Sequence, residues 1–189
     1  DVDIFLTDDR YFRSEVDIPD SINGQQNTGK SYFGAMQMEW LKNSLLFSNA
    51  TFKIIASGSQ VLNPYADYDC MRHYSAEYNE LMDFLSVQKI QGILFFSGDR
   101  HHSEIIKQGR DGMYPLYDVT ISPFTAGVSK VRGAELNNEA RIKGTLVEEQ
   151  NFGKVTVSGK RNERILKIEF AGIKGDKLGE WGISENELK

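Results

Sequence analysis

The sequence predicts an α/β fold in a single unit, and three observations carry that expectation. Between Val2 and Ser97, short apolar runs rich in β-branched and aromatic residues alternate with two stretches of helical periodicity. Each apolar run stops abruptly in a polar or glycine-bearing segment, the pattern of strands that deliver loops to one sheet edge. Beyond Gly153 the period changes to two, with no further helix of comparable quality, so an antiparallel hairpin is expected there.

Bulk properties narrow the possibilities. At 189 residues the chain can bury one sizeable core, and we expect one unit over 1–189, with a core over 2–122 and a hairpin region over 153–170. With 40% hydrophobic and 26% charged residues the composition is that of an ordinary globular protein, and a net charge of -5 argues against a nucleic-acid or anionic-membrane binder. Cys70 is the one cysteine, which excludes an internal disulfide framework and a cysteine-based zinc site. No apolar run reaches membrane-spanning length and no basic, hydrophobic leader opens the chain. Because the sequence starts directly on an apparent strand, a trimmed or partial chain is expected.

Val2 to Thr7 reads as a buried strand that runs into Asp8-Asp9-Arg10-Tyr11-Phe12-Arg13, where Arg10 and Arg13 could hold an oxyanion or be neutralised by the aspartates. Glu15 to Ser31 lacks periodicity and predicts a long surface loop, a candidate lid. In Gly34 to Ser48, Met36, Trp40, Leu41, Leu45 and Leu46 recur at helical steps, and Trp40 is expected to anchor the core. Phe52 to Ser57 is a second strand. After it, Ser59, Gln60 and Asn63 are either site-lining groups or simple turn chemistry around Pro64. His73 is expected in a packing role. Ser75 can cap a second helix whose inner face carries Tyr78, Leu81, Met82 and Leu85.

That helix leads to the least ordinary stretch, Gly92 to Glu104. Ile93 to Ser97 reads as a strand buried on both faces, Gly98 allows a sharp turn, and Asp99, His101, His102 and Glu104 then follow within six residues in a chain holding three histidines. Carboxylate and neutral imidazole suit zinc, iron or manganese, and added oxygen ligands would favour calcium or magnesium. Proton transfer by His101 or His102, positioned by Asp99, is the metal-free alternative. Ile105 and Ile106 give a short apolar continuation, Gly109 to Gly112 a turn, and Tyr117 to Ser122 a strand stopped by Pro123. Phe124 to Asn138 is expected as loop. Ser97 and Ser103 flank the histidines, but no Gly-x-Ser-x-Gly elbow marks either as a nucleophile.

Four pieces in order, Phe5-Leu6-Thr7-Asp8-Asp9-Arg10-Tyr11-Phe12-Arg13, Gln37-Met38-Glu39-Trp40-Leu41-Lys42-Asn43-Ser44-Leu45, Lys53-Ile54-Ile55-Ala56-Ser57-Gly58-Ser59-Gln60 and Phe96-Ser97-Gly98-Asp99-Arg100-His101-His102, resemble the second half of an alkaline phosphatase D-like (PhoD-like) metallophosphatase of the calcineurin-like superfamily. The resemblance covers about Ile4 to Ser122. It implies the C-terminal half of a two-sheet αββα sandwich and hydrolysis of phosphate monoesters or diesters at two divalent or trivalent metals (Zn, Fe, Mn or Ca). By the same resemblance Asp99 is a metal ligand, and His101 a metal ligand or catalytic substrate contact. His102 is catalytic from one step further back, while Arg10 and Gln60 bind substrate. A periplasmic or secreted location follows from the resemblance alone. Two departures stand out. Ser59 and Gln60 occupy the place where the superfamily usually supplies a histidine, and the chain contains no Gly-Asp-x-x-Asp and no Gly-Asn-His motif. The remaining ligands would therefore come from an N-terminal half of the same enzyme, and these residues alone are expected to be inactive. A binding or scaffold domain that keeps the fold without the reaction is the competing expectation.

Overall fold

The computed structural model describes residues 1–189. Strands β1 (Val2–Leu6), β2 (Ser21–Ile22) and β3 (Gln25–Gln26) precede helix α1 (Ala35–Phe47), β4 (Phe52–Ala56), helix α2 (Ser75–Val87) and β5 (Ile93–Ser97). The chain continues through β6 (Glu104–Arg110), β7 (Met113–Thr120), β8 (Asn151–Ser158), β9 (Ile165–Gly172) and β10 (Lys177–Ser184). A five-stranded sheet has the order β1-β4-β5-β7-β6, parallel except for β6 against β7. A second, antiparallel sheet has the order β10-β9-β8.

The connections β1-α1-β4 and β4-α2-β5 step the same way along the sheet, and right-handed crossovers then put both helices on one face. Register places Phe5, Ile55 and Phe95 on a common face and Ile4, Ile54 and Leu94 on the other. Trp40 of α1 meets Phe5 edge to face at 6.5 Å, so the Phe5 side is the helix side. The second sheet joins the same core, with Trp181 of β10 5.0 Å from Tyr117 of β7. One cluster of 32 buried apolar residues runs from Phe5 through the helices and the central strands to Leu166, Ile168, Phe170 and Ile183. Two sheets sharing one core, a separate two-stranded β2-β3 hairpin and one helical layer are therefore present, and the second helical layer of an αββα sandwich is not among the elements of this chain.

Several expectations change. β1 is a sheet edge and not a buried strand: Phe5 is buried, but Ile4 is 61% and Leu6 75% exposed. On α1 the buried residues are Met38, Leu41 and Leu45, whereas Met36 and Trp40 stay open to solvent, so Trp40 does not anchor the core. Ser75 makes no cap of its own; Asp20 from the preceding loop accepts its backbone N–H at 2.8 Å. Glu77 of α2 instead caps the neighbouring helix, accepting the N–H groups of Phe33 and Gly34 ahead of α1. Ile105 and Ile106 belong to a full strand, β6, and Tyr114 and Pro115 of β7 oppose Gly109 in a bulge that accommodates a residue with no N–H. The expected hairpin is a three-stranded sheet, because Lys177 to Ser184 pairs along β9 as β10. His73 packs as expected, half buried, with Nε2 3.1 Å from the Ala66 carbonyl.

Candidate active site

The carboxyl ends of four parallel strands lie side by side and set the positions of the polar groups. β1 runs into Asp8-Asp9-Arg10, β4 into Ser57-Gly58-Ser59-Gln60, β5 into Gly98-Asp99-Arg100-His101-His102, and β7 into Ile121-Ser122. The first two loops are locked together by the buried Asp9 carboxylate, which accepts the Ser59 N–H at 2.8 Å and the Tyr32 hydroxyl at 2.9 Å. Gly58 is required for this approach, since a Cβ there would lie 2.4 Å from Asp9 Oδ1.

In the β5 loop Asp99 and His101 both have positive φ, 64° and 60°. Such backbone is disfavoured for residues with a Cβ and is found where surrounding contacts dictate it. Here Ser122 Oγ accepts the His101 N–H at 3.0 Å, and the His101 carbonyl accepts the Ser129 N–H at 2.9 Å. The turn presents Asp99 at the surface, where Arg10 Nη2 donates to Asp99 Oδ2 at 3.2 Å and Arg10 Nη1 donates to Asp69 Oδ2 at 3.0 Å. Arg13 donates to the same Asp69 oxygen at 2.7 Å. Burial works against ionisation of Asp69, but Arg13 and Arg10 outweigh it and hold the carboxyl below its usual value. A cleft of about 480 Å³ opens beside these groups, lined by Asp69, Asp99, Arg100, His101, Lys130 and Arg132 among others.

Beneath the cleft lies a buried polar layer. Glu104, the first residue of β6, accepts Gln60 Nε2 at 2.8 Å and Arg141 Nε at 2.6 Å, and His102 Nε2 approaches to 3.5 Å, too long for a formed hydrogen bond. Burial alone would raise the Glu104 carboxyl; His102, Gln60 and Arg141 reverse that and hold it at about 2. Asp118 on β7 is fully buried, and burial lifts it to about 6 although it accepts the Ser97 hydroxyl and the Val61 and Leu62 N–H groups. Arg100 closes on Glu135, with Nη2 2.5 and 2.6 Å from the two carboxylate oxygens.

The structure thus brings Asp99, His101 and, almost buried, His102 to the lining of one cleft, joins Arg10 to Asp99 beside it, and leaves Gln60 out of it. Gln60 is completely buried: its amide nitrogen donates to Glu104 and to Thr120, and its oxygen accepts from Asn63. With no free group and no exposure it cannot contact a substrate in the cleft. His102 forms part of the cleft lining but is only 2% exposed, with both ring nitrogens shielded from solvent and without a hydrogen-bond partner. Asp69 was invisible as a site residue in sequence, because it sits 59 positions from Arg10 in a loop with no periodicity; only the local density of Asp67 and Asp69 marked it. No three His, Cys, Asp or Glu side chains converge to form a metal-holding group. Asp99 and His101 by themselves do not fit a metal shell.

Residues 1–166 match the PhoD-like phosphatase family. The chain belongs to that family. A solved structure described as "Structure of PhoD" superposes with a TM-score of 0.73 at 15% identity, covering 97% of this chain and 38% of that one. At that identity the likeness establishes the fold, and this chain spans well under half the length of the PhoD structure. No curated protein matches. No helix of the chain is long and apolar enough to cross a membrane.

Proposed function

We propose that these residues form the substrate-orienting part of a metal-dependent phosphoric ester hydrolase whose remaining ligands are contributed by a longer PhoD-like polypeptide. The observation that carries the reading is the Arg10 guanidinium, half exposed at the cleft and held by Asp69 and Asp99 at 3.0 and 3.2 Å. A guanidinium fork fixed in this way is preorganised to grip two non-bridging phosphate oxygens. Arg13 shares the same Asp69 oxygen and so adds a second positive charge beside the fork. His101 stands on the strained turn beside Asp99, and Gln60, Glu104 and Arg141 hold the β5 turn from below. His102 is a positioning residue in this scheme. The two metal ions implied by family membership would need ligands beyond Asp99 and His101.

A metal-independent nucleophile finds no support: burial pushes the Cys70 thiol up to about 12, far from a reactive thiolate. A scaffold domain that keeps the fold without the reaction is the competing reading. Metal content and phosphodiester turnover separate the two. The 189-residue chain should bind no stoichiometric metal and show no turnover, and the longer protein should do both. Full activity of the chain alone, or an inert longer protein, would overturn the proposal.

A further inference from the structure

We infer that Lys130 and Arg132, on the segment between β7 and β8, form a second anion subsite in the cleft, which selects phosphoesters whose organic group carries a carboxylate or a further phosphate. The inference rests on the functional reading above and adds a substrate class to it. The segment that carries the two cations is pinned along its length. Gln150 Nε2 donates to the Ala126 carbonyl at 2.9 Å, the Ser129 N–H to the His101 carbonyl at 2.9 Å, and the Val131 N–H to Glu148 Oε1 at 2.8 Å. Lys130 therefore springs from backbone held on either side, one residue beyond the contact with the β5 turn. Arg132 is anchored through Nη2, which donates to the Tyr68 hydroxyl, and through its carbonyl, which accepts the Glu135 N–H at 3.2 Å. Both residues line the cleft that Asp99 and His101 also line.

Charge pairing singles these two out. Asp69 is held by Arg10 and Arg13, Asp99 by Arg10, and Glu135 by Arg100. Lys130 and Arg132 are exposed and form no ion pair, in a chain whose net charge is -5. Arg100 brings further donors to the same lining: it is 8% exposed, its Cζ stands 5.3 Å from the centre of the Tyr68 ring, and its Nε and Nη1 have no partner. Asp67, next to Gly133, is the one lining carboxylate outside any ion pair, and it partly offsets the two cations. A volume of about 480 Å³ is that of a small-molecule pocket, so the cleft takes the organic group of an ester as well as its phosphate. With the phosphate on Arg10, fixed and unpaired cations in the same cleft favour a negative group on the remainder of the substrate over a neutral one of equal size.

Calorimetric binding of phosphonates, which are not hydrolysed, to the longer protein tests this. Propyl- and pentylphosphonate are each compared with the analogue ending in a carboxylate and the analogue ending in a second phosphonate. The charged-tail analogues should bind roughly 5- to 30-fold more tightly than the plain ones, with the larger ratio identifying the preferred group. In Lys130→Ala/Arg132→Ala the ratio should fall to about one, in Asp67→Asn it should rise, and added salt should lower it in the parent. Each ratio is taken within one folded variant, and the single Lys130→Glu variant gives the same reading if the double variant does not fold. A ratio near one in the parent, a ratio that these lysine and arginine variants leave unaltered, or failure of every phosphonate to bind would overturn the inference. Phosphoester turnover with a ratio near one would refute this inference alone, whereas the predicted ratios without turnover would leave the subsite standing and refute the functional reading.

Discussion

Replacing Glu104 with glutamine tests the buried layer that supports the β5 turn. The carboxyl sits at about 2 against an ordinary 4.5, because Gln60, Arg141 and His102 overcome the penalty of burial. That displacement is worth about 3 kcal/mol in favour of the folded state. Its sign is fixed: a depressed carboxyl stabilises fully above its unfolded value, and the contribution is lost as pH falls from 4.5 toward 2. Glutamine removes the charge facing the nearly buried Arg141 and sets an amide against the Gln60 donor. Urea or thermal melts at pH 7 should show E104Q destabilised by about 3 kcal/mol, or roughly 6–12 °C for a chain of this size. Between pH 4.5 and 2 the parent should lose more stability than the variant, narrowing the gap. A variant within about 0.5 kcal/mol of the parent at pH 7, or one with the same acid limb, would refute the reasoning.

Two further outcomes follow from the same layer. Asp118 is raised to about 6, so its contribution is fully present below 3.8 and is lost as pH rises through 6. D118N can keep an oxygen toward the Val61 and Leu62 N–H groups, and its stability relative to the parent should improve by about 3 kcal/mol between pH 4 and 7 in paired denaturation curves; no pH dependence in the difference would contradict this. Gly58→Ala should cost about 1–3 kcal/mol by forcing Asp9 from Ser59 and Tyr32, whereas Gly109→Ala, with open space around it, should be close to neutral; equal melting temperatures for the two would count against the packing argument.

Much of the fold was legible because hydrophobic period and abrupt polar stops are local signals. Ile93–Ser97 and its turn, the two helices and the β8–β9 pairing all follow from them. What escaped depends on partners. Gly179 and Gly182 give β10 no strand propensity, and its identity comes from hydrogen bonding along β9. Periodicity marks Trp40 and Met36 as apolar positions on a helix but cannot distinguish a core from an uncovered face. At the site, Arg10, Gln60, Asp99 and His101 are readable as polar chemistry at strand ends. The buried bridging role of Gln60 and the clamp at Asp69 are not, because they arise only through contacts across 44 and 59 positions of chain.

The most direct test of the account is the kinetics of Arg10 variants in the longer protein that contains these residues. Arg10 is half exposed and its removal leaves Asp69 paired with Arg13, so the fold should survive. Losing charge-assisted hydrogen bonds worth about 2–3 kcal/mol to the phosphate predicts a fall in kcat/KM of roughly 30- to 150-fold for Arg10→Ala, with Arg10→Lys recovering only part of it. Unchanged kcat/KM in a folded Arg10→Ala protein would contradict the placement of the phosphate at this cleft.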